Sequence, residues 1–258
     1  MTRTSRVIAA FAILALTGAC SDDGADSPAA PPAGPIATTI SASGDITAKV
    51  DEYRLLLGDP KNGGTAGPQT SGRREIGWDG VPAQFDNGDN LFPPDFFNAT
   101  VKLGAIFATG GTGFRNDSTL FDGVNPAYAD QFKAFSPNKI FAATGSNVID
   151  MTFRVAGTDT PAVVSGLGAV FTDVDVAGAT AMDFYAKDGT LIGHYAAPVR
   201  NDAGGLSFVG VKYDSPVVAR VKFTLGQGAL AAGVNDITAG GPLDLVALDD
   251  LIYGEPLP

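Results

Sequence analysis

Residues 217–225, VVARVKFTL, indicate the fold of this chain, because their apolar and polar side chains alternate. Successive side chains of a β-strand point to opposite faces of a sheet, so the alternation predicts a strand with one buried face. The predicted buried face consists of Val217, Ala219, Val221, Phe223 and Leu225. Arg220 and Lys222 fall on the opposite face, where solvent is expected.

Similar strand patterns recur through the second half of the chain. VIDMTFRV at 148–155 alternates in the same way, and residues 181–199 read as two strands around an Asp188-Gly189 hairpin turn. Two more apolar stretches, 162–176 and 243–256, are typical of strands buried on both faces. Residues 110–138 lack periodicity and are expected to be loops with short edge strands. The sequence therefore predicts a mainly β protein, an antiparallel β-sandwich of jelly-roll type.

One amphipathic helix is expected at the start of this domain, in GDITAKVDEYRLLLGDP at residues 44–60. Ile46, Val50, Tyr53 and Leu57 are spaced to form a single apolar stripe. Asp45 is the expected N-cap, Gly58 follows the last helical residue and Pro60 stops the helix. We expect the stripe to pack on the sandwich.

The first 19 residues have the pattern of a secretory signal peptide, with Arg3 and Arg6 before a short apolar run at 7–16. The segment ending at Cys20 resembles the lipobox of bacterial lipoproteins, although Thr17 stands where a branched aliphatic residue is usual. That resemblance implies lipidation of Cys20 and anchoring in a membrane. The alternative is ordinary cleavage near Ala19, which leaves Cys20 as a free thiol.

A Pro-, Ala- and Gly-rich segment follows the cysteine, and we expect residues 20–44 to be a flexible tether and residues 45–258 a single domain.

Removing the signal peptide changes the formal net charge from −11 to −13. Such an acidic protein is not expected to bind nucleic acid or anionic lipid headgroups. Ser21 after the cysteine resembles the sorting choice for the outer membrane, which predicts an envelope location at the outer membrane or cell surface.

Four aspartates are candidate metal ligands. Of the 28 acidic residues 25 are aspartates, which suit turns and oxygen-ligand sites. Asp173 and Asp175 are two apart on a predicted strand, and Asp249 and Asp250 are adjacent on another. Calcium prefers six to eight oxygen ligands, which carboxylates and carbonyls at strand ends can supply. The alternative is that these aspartates cap strand ends by accepting backbone N–H groups.

A candidate ligand-binding surface lies around Trp78, the only tryptophan. Trp78, with Asp79 beside it, could form a sugar-stacking platform with a polar rim. Phe96, in DNLFPPDFFN at 89–98, could extend that surface. The alternative is that these aromatic side chains belong to the core.

The sequence gives little support for catalysis. His194, the only histidine, lies in a predicted strand, and the chain has no G-x-S-x-G elbow, no H-E-x-x-H pair and no Walker loop. We therefore expect a non-enzyme. A hydrolase that uses a pair of aspartates remains the alternative.

Several blocks in order resemble a group of largely uncharacterised secreted bacterial proteins. The blocks are GRREI-x-WDG, DFFN, GTGF, FSPNKIF, GSNVIDMTFRVAGT, GAVFTDVD and ALDDLIYGEP, spread over most of residues 45–256. The ending ALDDLIYGEP also resembles the last strand of jelly-roll carbohydrate-binding and adhesion domains, in which an acidic pair helps hold a structural calcium. These resemblances imply an exported sandwich domain with no assigned activity.

The function that the sequence favours is a lipid-anchored envelope protein with a non-catalytic binding domain. Glycan or cell-envelope polysaccharide is the expected ligand class. The alternative is a structural or adhesion component of the envelope that binds another protein.

Overall fold

A computed structural model describes residues 34–258 of the chain, of which twelve strands form two antiparallel sheets. The predicted signal peptide, Cys20 and most of the predicted tether lie outside the described residues. The strands are β1 (Ala37–Ser43), β2 (Arg73–Ile76), β3 (Ala105–Ala108), β4 (Gly113–Asp117), β5 (Ile140–Thr144), β6 (Val148–Phe153), β7 (Gly166–Thr172), β8 (Ala181–Tyr185), β9 (Leu191–Ala196), β10 (Leu206–Tyr213), β11 (Arg220–Thr224) and β12 (Ala247–Gly254).

The order of the strands is that of an extended jelly roll. The seven-stranded sheet runs β1-β10-β7-β12-β5-β4, with β2 pairing on β12, and the five-stranded sheet runs β3-β6-β11-β8-β9. Strands β5 to β12 alone supply two four-stranded sheets, β5-β12-β7-β10 and β6-β11-β8-β9, which is the jelly-roll arrangement. The prediction of an antiparallel, jelly-roll-like β-sandwich is therefore confirmed.

Two helices accompany the sheets in the described part of the chain, α1 (Thr47–Leu57) and the single turn α2 (Phe96–Ala99). Three 3-10 turns lie at Trp78–Gly80, Ala83–Phe85 and Pro126–Asp130. Within residues 34–258, neither helix has the length and apolar character needed to cross a bilayer.

The seven-stranded sheet is covered on both faces. Side chains of both sheets form the main core between them, and it includes Met151, Phe171, Phe184 and Leu251. On the opposite face, α1 packs on Val170, Phe208 and Ile252, and the segments around Tyr128 and Leu245 cover the region of β5. This double cover explains why every residue of β7 and β12 is buried, as their apolar sequences predict.

The prediction of an apolar stripe on α1 is confirmed, because Ile46, Val50, Tyr53 and Leu57 are all buried. The predicted N-cap is wrong by one residue: the N-cap is Ile46, and Asp45 lies just before it, where its Oδ1 accepts the N–H of Thr47 over 3.2 Å. The helix ends at Gly58, whose φ of 98° is unfavourable for other residues.

A pair of facing glycines gives α1 its docking site. Gly168 of β7 and Gly210 of β10 are register partners, and the ring of Tyr53 lies over both. The Tyr53 hydroxyl donates to the carbonyl oxygen of Val211 over 2.8 Å. A side chain at either glycine would occupy the space of the tyrosine ring.

The predicted boundary between tether and domain is wrong. Ala37–Ser43, which we expected to be part of the tether, forms β1 and pairs with β10 along its whole length. The β domain therefore begins before Asp45, at the edge of the seven-stranded sheet. The sequence hides this strand because Ile40 is its only large apolar residue. Backbone hydrogen bonds to β10, instead of a buried apolar face, hold the segment in the sheet.

We predict that Gly210→Ala destabilises the protein by about 1–3 kcal/mol, the usual cost of overpacking a core. The new Cβ would lie 2.6 Å from Tyr53 Cδ2 and would displace α1. Gly110→Ala is the matched control, because its Cβ would meet no atom within 4 Å. Urea denaturation monitored by circular dichroism measures both. Equal stability of the two variants would contradict the docking role of Gly210.

Candidate functional site

The predicted platform around Trp78 does not exist, because the indole is fully buried. Its ring stacks on Phe141 with centroids 4.0 Å apart and planes within 4° of parallel. The Nε1–H donates to the carbonyl oxygen of Asp249 over 2.8 Å. Trp78 is therefore a core residue with a satisfied polar atom, and the prediction that it stacks on a sugar is wrong.

Phe96 and Asp79 do not form a ligand surface either. Phe96 is 2% exposed and packs among Phe85, Phe92 and Phe97. The half-buried Asp79 carboxylate contacts the Ser136 hydroxyl, with Oδ2 and Oγ 3.0 Å apart. The aromatic residues at 92–97 cover the end of the core, which is the alternative that the sequence left open.

The four predicted metal ligands separate into two groups. Asp173 and Asp175 lie just after the end of β7 and join Asp236. Asp249 and Asp250 lie within β12 and contact Ser136 instead. The predicted set of four ligands is therefore wrong as a single site.

An irregularity in β12 explains the second group. The register with β7 shifts between Leu248 and Leu251, which is a β-bulge, so the adjacent Asp249 and Asp250 no longer point to opposite faces. Both carboxylates reach the Ser136 hydroxyl, with Oδ1–Oγ distances of 3.1 Å and 2.9 Å. The N–H of Phe135 donates to Asp249 Oδ2 over 2.5 Å.

We name Asp79, Ser136, Asp249 and Asp250 the Ser136 cluster. Three carboxylate oxygens surround one hydroxyl oxygen, which carries a single proton and can accept two hydrogen bonds. All three contacts are hydrogen bonds only when two of the carboxyl groups carry protons. Burial, together with repulsion from Asp250, raises the pKa of Asp249 to about 8. Burial also raises the pKa of Asp250, against the opposing effect of Ser136 and Arg54.

The first group forms what we call the acidic cavity. Carboxylate oxygens of Asp173, Asp175 and Asp236 lie within 4.8 Å of one another. Asp236 is fixed by its own loop, since its Oδ1 accepts the N–H of Leu245 over 2.8 Å and its Oδ2 accepts the N–H and hydroxyl of Thr238. A neighbouring carboxylate, Asp244, accepts the backbone N–H groups of Asp175 and Val176 and holds the segment after β7 in place.

Several buried oxygen atoms at this cavity have no hydrogen-bond partner among the described residues. These are Asp173 Oδ1, both carboxylate oxygens of Asp175, and Gln131 Oε1. Asp173 is fully buried and Gln131 is 4% exposed. The Gln131 amide lies against the cluster, because its Nε2 donates to Asp173 Oδ2 over 2.7 Å. Unpaired buried polar atoms cost free energy, so their concentration here indicates a binding site.

The electrostatics of the acidic cavity favour a positive ligand. Burial raises the pKa of Asp173 to about 8, and nearby Asp175, Asp236 and Asp244 add to the increase. Burial likewise raises the pKa of Asp175 to about 7, with Asp236 as the next contributor. Repulsion among the carboxylates thus opposes their joint ionisation. A divalent cation would remove that repulsion.

A surface cavity lies beside the carboxylate cluster. It has a volume of about 240 Å³ and is lined by Asp175, Val176, Asn201, Ile237 and Thr238. Asp175 is the one residue that the cluster and this lining share, and its two carboxylate oxygens are themselves buried. The cluster can therefore hold a cation that the surrounding protein encloses.

Sequence reasoning found Asp173 and Asp175 and missed Asp236, Asp244 and Gln131, which other loops contribute. A local signal for Asp236 exists, since Asp-Ile-Thr at 236–238 is the pattern of an aspartate that accepts the N–H two residues later. Gln131 carries no such signal.

His194 lies far from these residues along the chain and is exposed on β9, where Nδ1 is 2.5 Å from Asp183 Oδ1.

Comparisons with known proteins add little. No family model matches the chain, and no curated protein matches it. Among solved structures, the chain is similar to the enzymatically active domain of tailspike protein 4 from bacteriophage CBA120, with 14% identity and a TM-score of 0.29. The similarity covers 68% of this chain and 22% of the tailspike chain.

We predict that Asp249→Asn becomes more stable relative to the wild type as the pH rises from about 4 to about 8. An unfolded aspartate ionises near pH 4, whereas folded Asp249 holds its proton to about pH 8. In that window the folded state binds more protons, so wild-type stability falls as the pH rises. Asparagine keeps the shape of the protonated acid and removes this contribution.

Urea denaturation between pH 4 and pH 8.5, in excess chelator, measures the effect. The exposed Asp214→Asn is the control, and its stability difference from the wild type should stay nearly constant. A constant difference for Asp249→Asn as well would show that the Ser136 cluster does not retain protons.

Proposed function

We propose that this chain is a lipid-anchored protein of the bacterial cell envelope whose sandwich binds calcium in the acidic cavity and serves as a non-catalytic glycan-binding module. One observation carries the metal-binding part of the proposal. Buried oxygens of Asp173, Asp175 and Gln131 lack partners in a place where three carboxylates converge.

The ligand atoms favour calcium over other metals. The groups that converge are carboxylate and amide oxygens, which hard cations prefer, and the cluster contains neither histidine nor cysteine. Calcium accepts irregular arrangements of such ligands, whereas magnesium requires near-ideal octahedral geometry and retains water. A site at the junction of the loops around residues 131, 175 and 236 suits the more tolerant ion.

Asp249 and Asp250 are not part of the proposed calcium site. Their carboxylates already have partners in Ser136 and in the N–H of Phe135. Their role in the proposal is structural, and they provide the matched control for the test below.

The proposal of an envelope anchor rests on the sequence before residue 34, with Cys20 as the proposed lipidation site. Within the described domain, β1 and β7 both run antiparallel to β10 and are therefore parallel to each other. Ala37 thus lies near the start of β7, and the acidic cavity lies beyond its end, about 20 Å away for a strand of this length.

We predict that calcium raises the melting temperature of the protein relative to excess chelator. A ligand that binds only the folded state stabilises it by about 2.7 kcal/mol at one hundred times its Kd. For a domain of this size that corresponds to a shift of several degrees. Differential scanning calorimetry at fixed pH measures it.

Asp175→Asn should remove most of this shift, because its carboxylate is a proposed ligand with no other partner to lose. Asp249→Asn should keep the full shift. The absence of a calcium effect in the wild type, or a shift that Asp175→Asn retains and Asp249→Asn loses, would overturn the proposed site.

A further inference from the structure

We infer that a cavity beside strands β4 and β5 of the seven-stranded sheet binds neutral sugars through Arg115 and Asp89. This inference rests on the proposed glycan-binding function and gives that function a binding site, which lies apart from the acidic cavity. We name it the Arg115 cavity. Its volume is about 380 Å³, which is within the usual range for small-molecule sites.

Small side chains of the sheet make room for the Arg115 cavity. Arg115 of β4 is the register partner of Ala142 of β5, so a long side chain and a short one share this face of the sheet. The loops at 121–124 and 230–232 supply most of the remaining lining, including Val124 and Leu230. Ala142, Val124 and Leu230 give the cavity an apolar wall.

The guanidinium group of Arg115 is held in one orientation. The residue is 8% exposed, and its Nε donates to Asp117 Oδ2 over 2.7 Å while its Nη1 donates to Asp89 Oδ1 over 3.2 Å. Asp117 is itself fully buried, and its Oδ1 accepts the N–H groups of Thr119 and Phe121. A polar group that is already fixed loses little conformational entropy when a ligand binds.

The turn after β4 is strained, and it borders the cavity. Leu120 and Phe121 have φ angles of 57° and 62°, in the left-handed region that is unfavourable for residues other than glycine. The turn leads to Gly123, where a Cβ would lie only 3.2 Å from Arg115 Nη2. Strained backbone is concentrated at functional sites, so the turn is a second indication of a site here.

The Arg115 cavity offers a free donor next to a free acceptor. Among the described residues, Arg115 Nη2 and Asp89 Oδ2 make no hydrogen bond, although the two side chains contact each other through Nη1 and Oδ1. A guanidinium nitrogen only donates and a carboxylate oxygen only accepts. Two neighbouring hydroxyl groups of a sugar match this pair, because one can accept from Arg115 and the next can donate to Asp89.

A ligand can reach these two atoms from solvent. Asp89, Gly123, Gly145 and Ala232 line the cavity and are exposed. The unpaired Nη2 of Arg115 is also accessible to solvent, whereas the unpaired oxygens of the acidic cavity are buried. Entry of a sugar therefore requires no rearrangement of the protein.

The charge and the wall of the cavity favour a neutral sugar. Asp89 and Asp117 together carry one more charge than Arg115 neutralises, in a chain whose formal net charge is −11. Sugars that carry carboxylate, sulfate or phosphate groups would be repelled. The apolar wall can cover the C–H groups of a sugar ring, and burial of that apolar surface is favourable.

Amide NMR spectra of the ¹⁵N-labelled protein, recorded with calcium present, test the inference. The probes are the methyl α-glycosides of glucose, mannose and galactose, and at least one should shift the signals of Gly123, Gly145 and Ala232 to saturation. The uronic acid analogue of the active glycoside should bind more weakly, because it carries a negative charge. The fully O-methylated analogue, which has no hydroxyl to donate, should not bind.

Variants of the lining locate the sugar. Asp89→Ala should weaken binding of the active glycoside about fivefold, the usual value of one hydrogen bond, whereas Asp122→Ala removes an exposed carboxylate outside the lining and should not. Gly123→Ala should also weaken binding, because its Cβ would crowd Arg115 Nη2, and Gly110→Ala is its control. The melting temperature of each variant checks that it is folded.

The outcomes distinguish the two proposals. If a glycoside binds but shifts signals elsewhere, or binds Asp89→Ala and Gly123→Ala with unchanged affinity, the glycan-binding function stands and the inference is wrong. If none of the three glycosides binds, the glycan-binding function fails together with the Arg115 cavity. The effect of calcium on the melting temperature tests the metal site independently of both.

Discussion

The hydrogen bond from the indole N–H of Trp78 to the carbonyl oxygen of Asp249 joins the main core to the irregular part of β12. The indole stacks on Phe141 of β5 and makes edge contacts with Phe92 and Phe97, so one side chain contacts both β5 and the segment at 92–97. A buried indole N–H without an acceptor would cost about 1–3 kcal/mol. The bulge provides that acceptor, and by shifting the register it also turns Asp249 and Asp250 towards Ser136. Core packing therefore determines the position of these carboxylates.

Two groups of aspartates in one sheet illustrate how the surroundings decide the chemistry of a carboxylate. In the Ser136 cluster, a hydroxyl and a backbone N–H provide partners, and shared protons reduce the repulsion. In the acidic cavity, three carboxylates converge, and the buried carboxylate oxygens of Asp175 accept no hydrogen bond from the described residues. The carboxylates of the Ser136 cluster have hydrogen-bond partners within the protein, whereas those of the acidic cavity leave oxygens unpaired that a cation could bind.

The fold was largely predictable because the burial of one face of a strand or helix requires apolar residues at a regular spacing in the sequence. Alternation identified β6 and β11, continuous apolar runs identified β7 and β12, and the stripe from Ile46 to Leu57 identified α1. β1 escaped detection because Ala37–Ser43 contains mostly small and polar residues, like the segment before it. Its structure comes from pairing with β10, and pairing with a distant strand leaves no local pattern.

The residues of the candidate site were predictable only where they lie close together along the chain. The spacing of Asp173 and Asp175 indicated a shared site, but Gln131 and Asp236 come from distant loops that only the folded chain brings together. The rule that adjacent strand residues face opposite sides failed for Asp249 and Asp250, because a bulge is set by tertiary packing. Trp78 was ambiguous because a lone tryptophan is compatible in sequence with a binding platform, although a core position is more common.

The position of β1 at the sheet edge also determines how the domain would respond to mechanical load. All seven residues of β1 pair with β10, from Ala37 with Tyr213 to Ser43 with Ser207. A force that pulls on the chain before Ala37, against a point held beyond the end of β7, acts along the strand axis. Such a force loads the hydrogen bonds of the ladder together in shear, instead of opening them one after another. The segment at the start of the described domain is thus held against such a pull by the whole ladder at once.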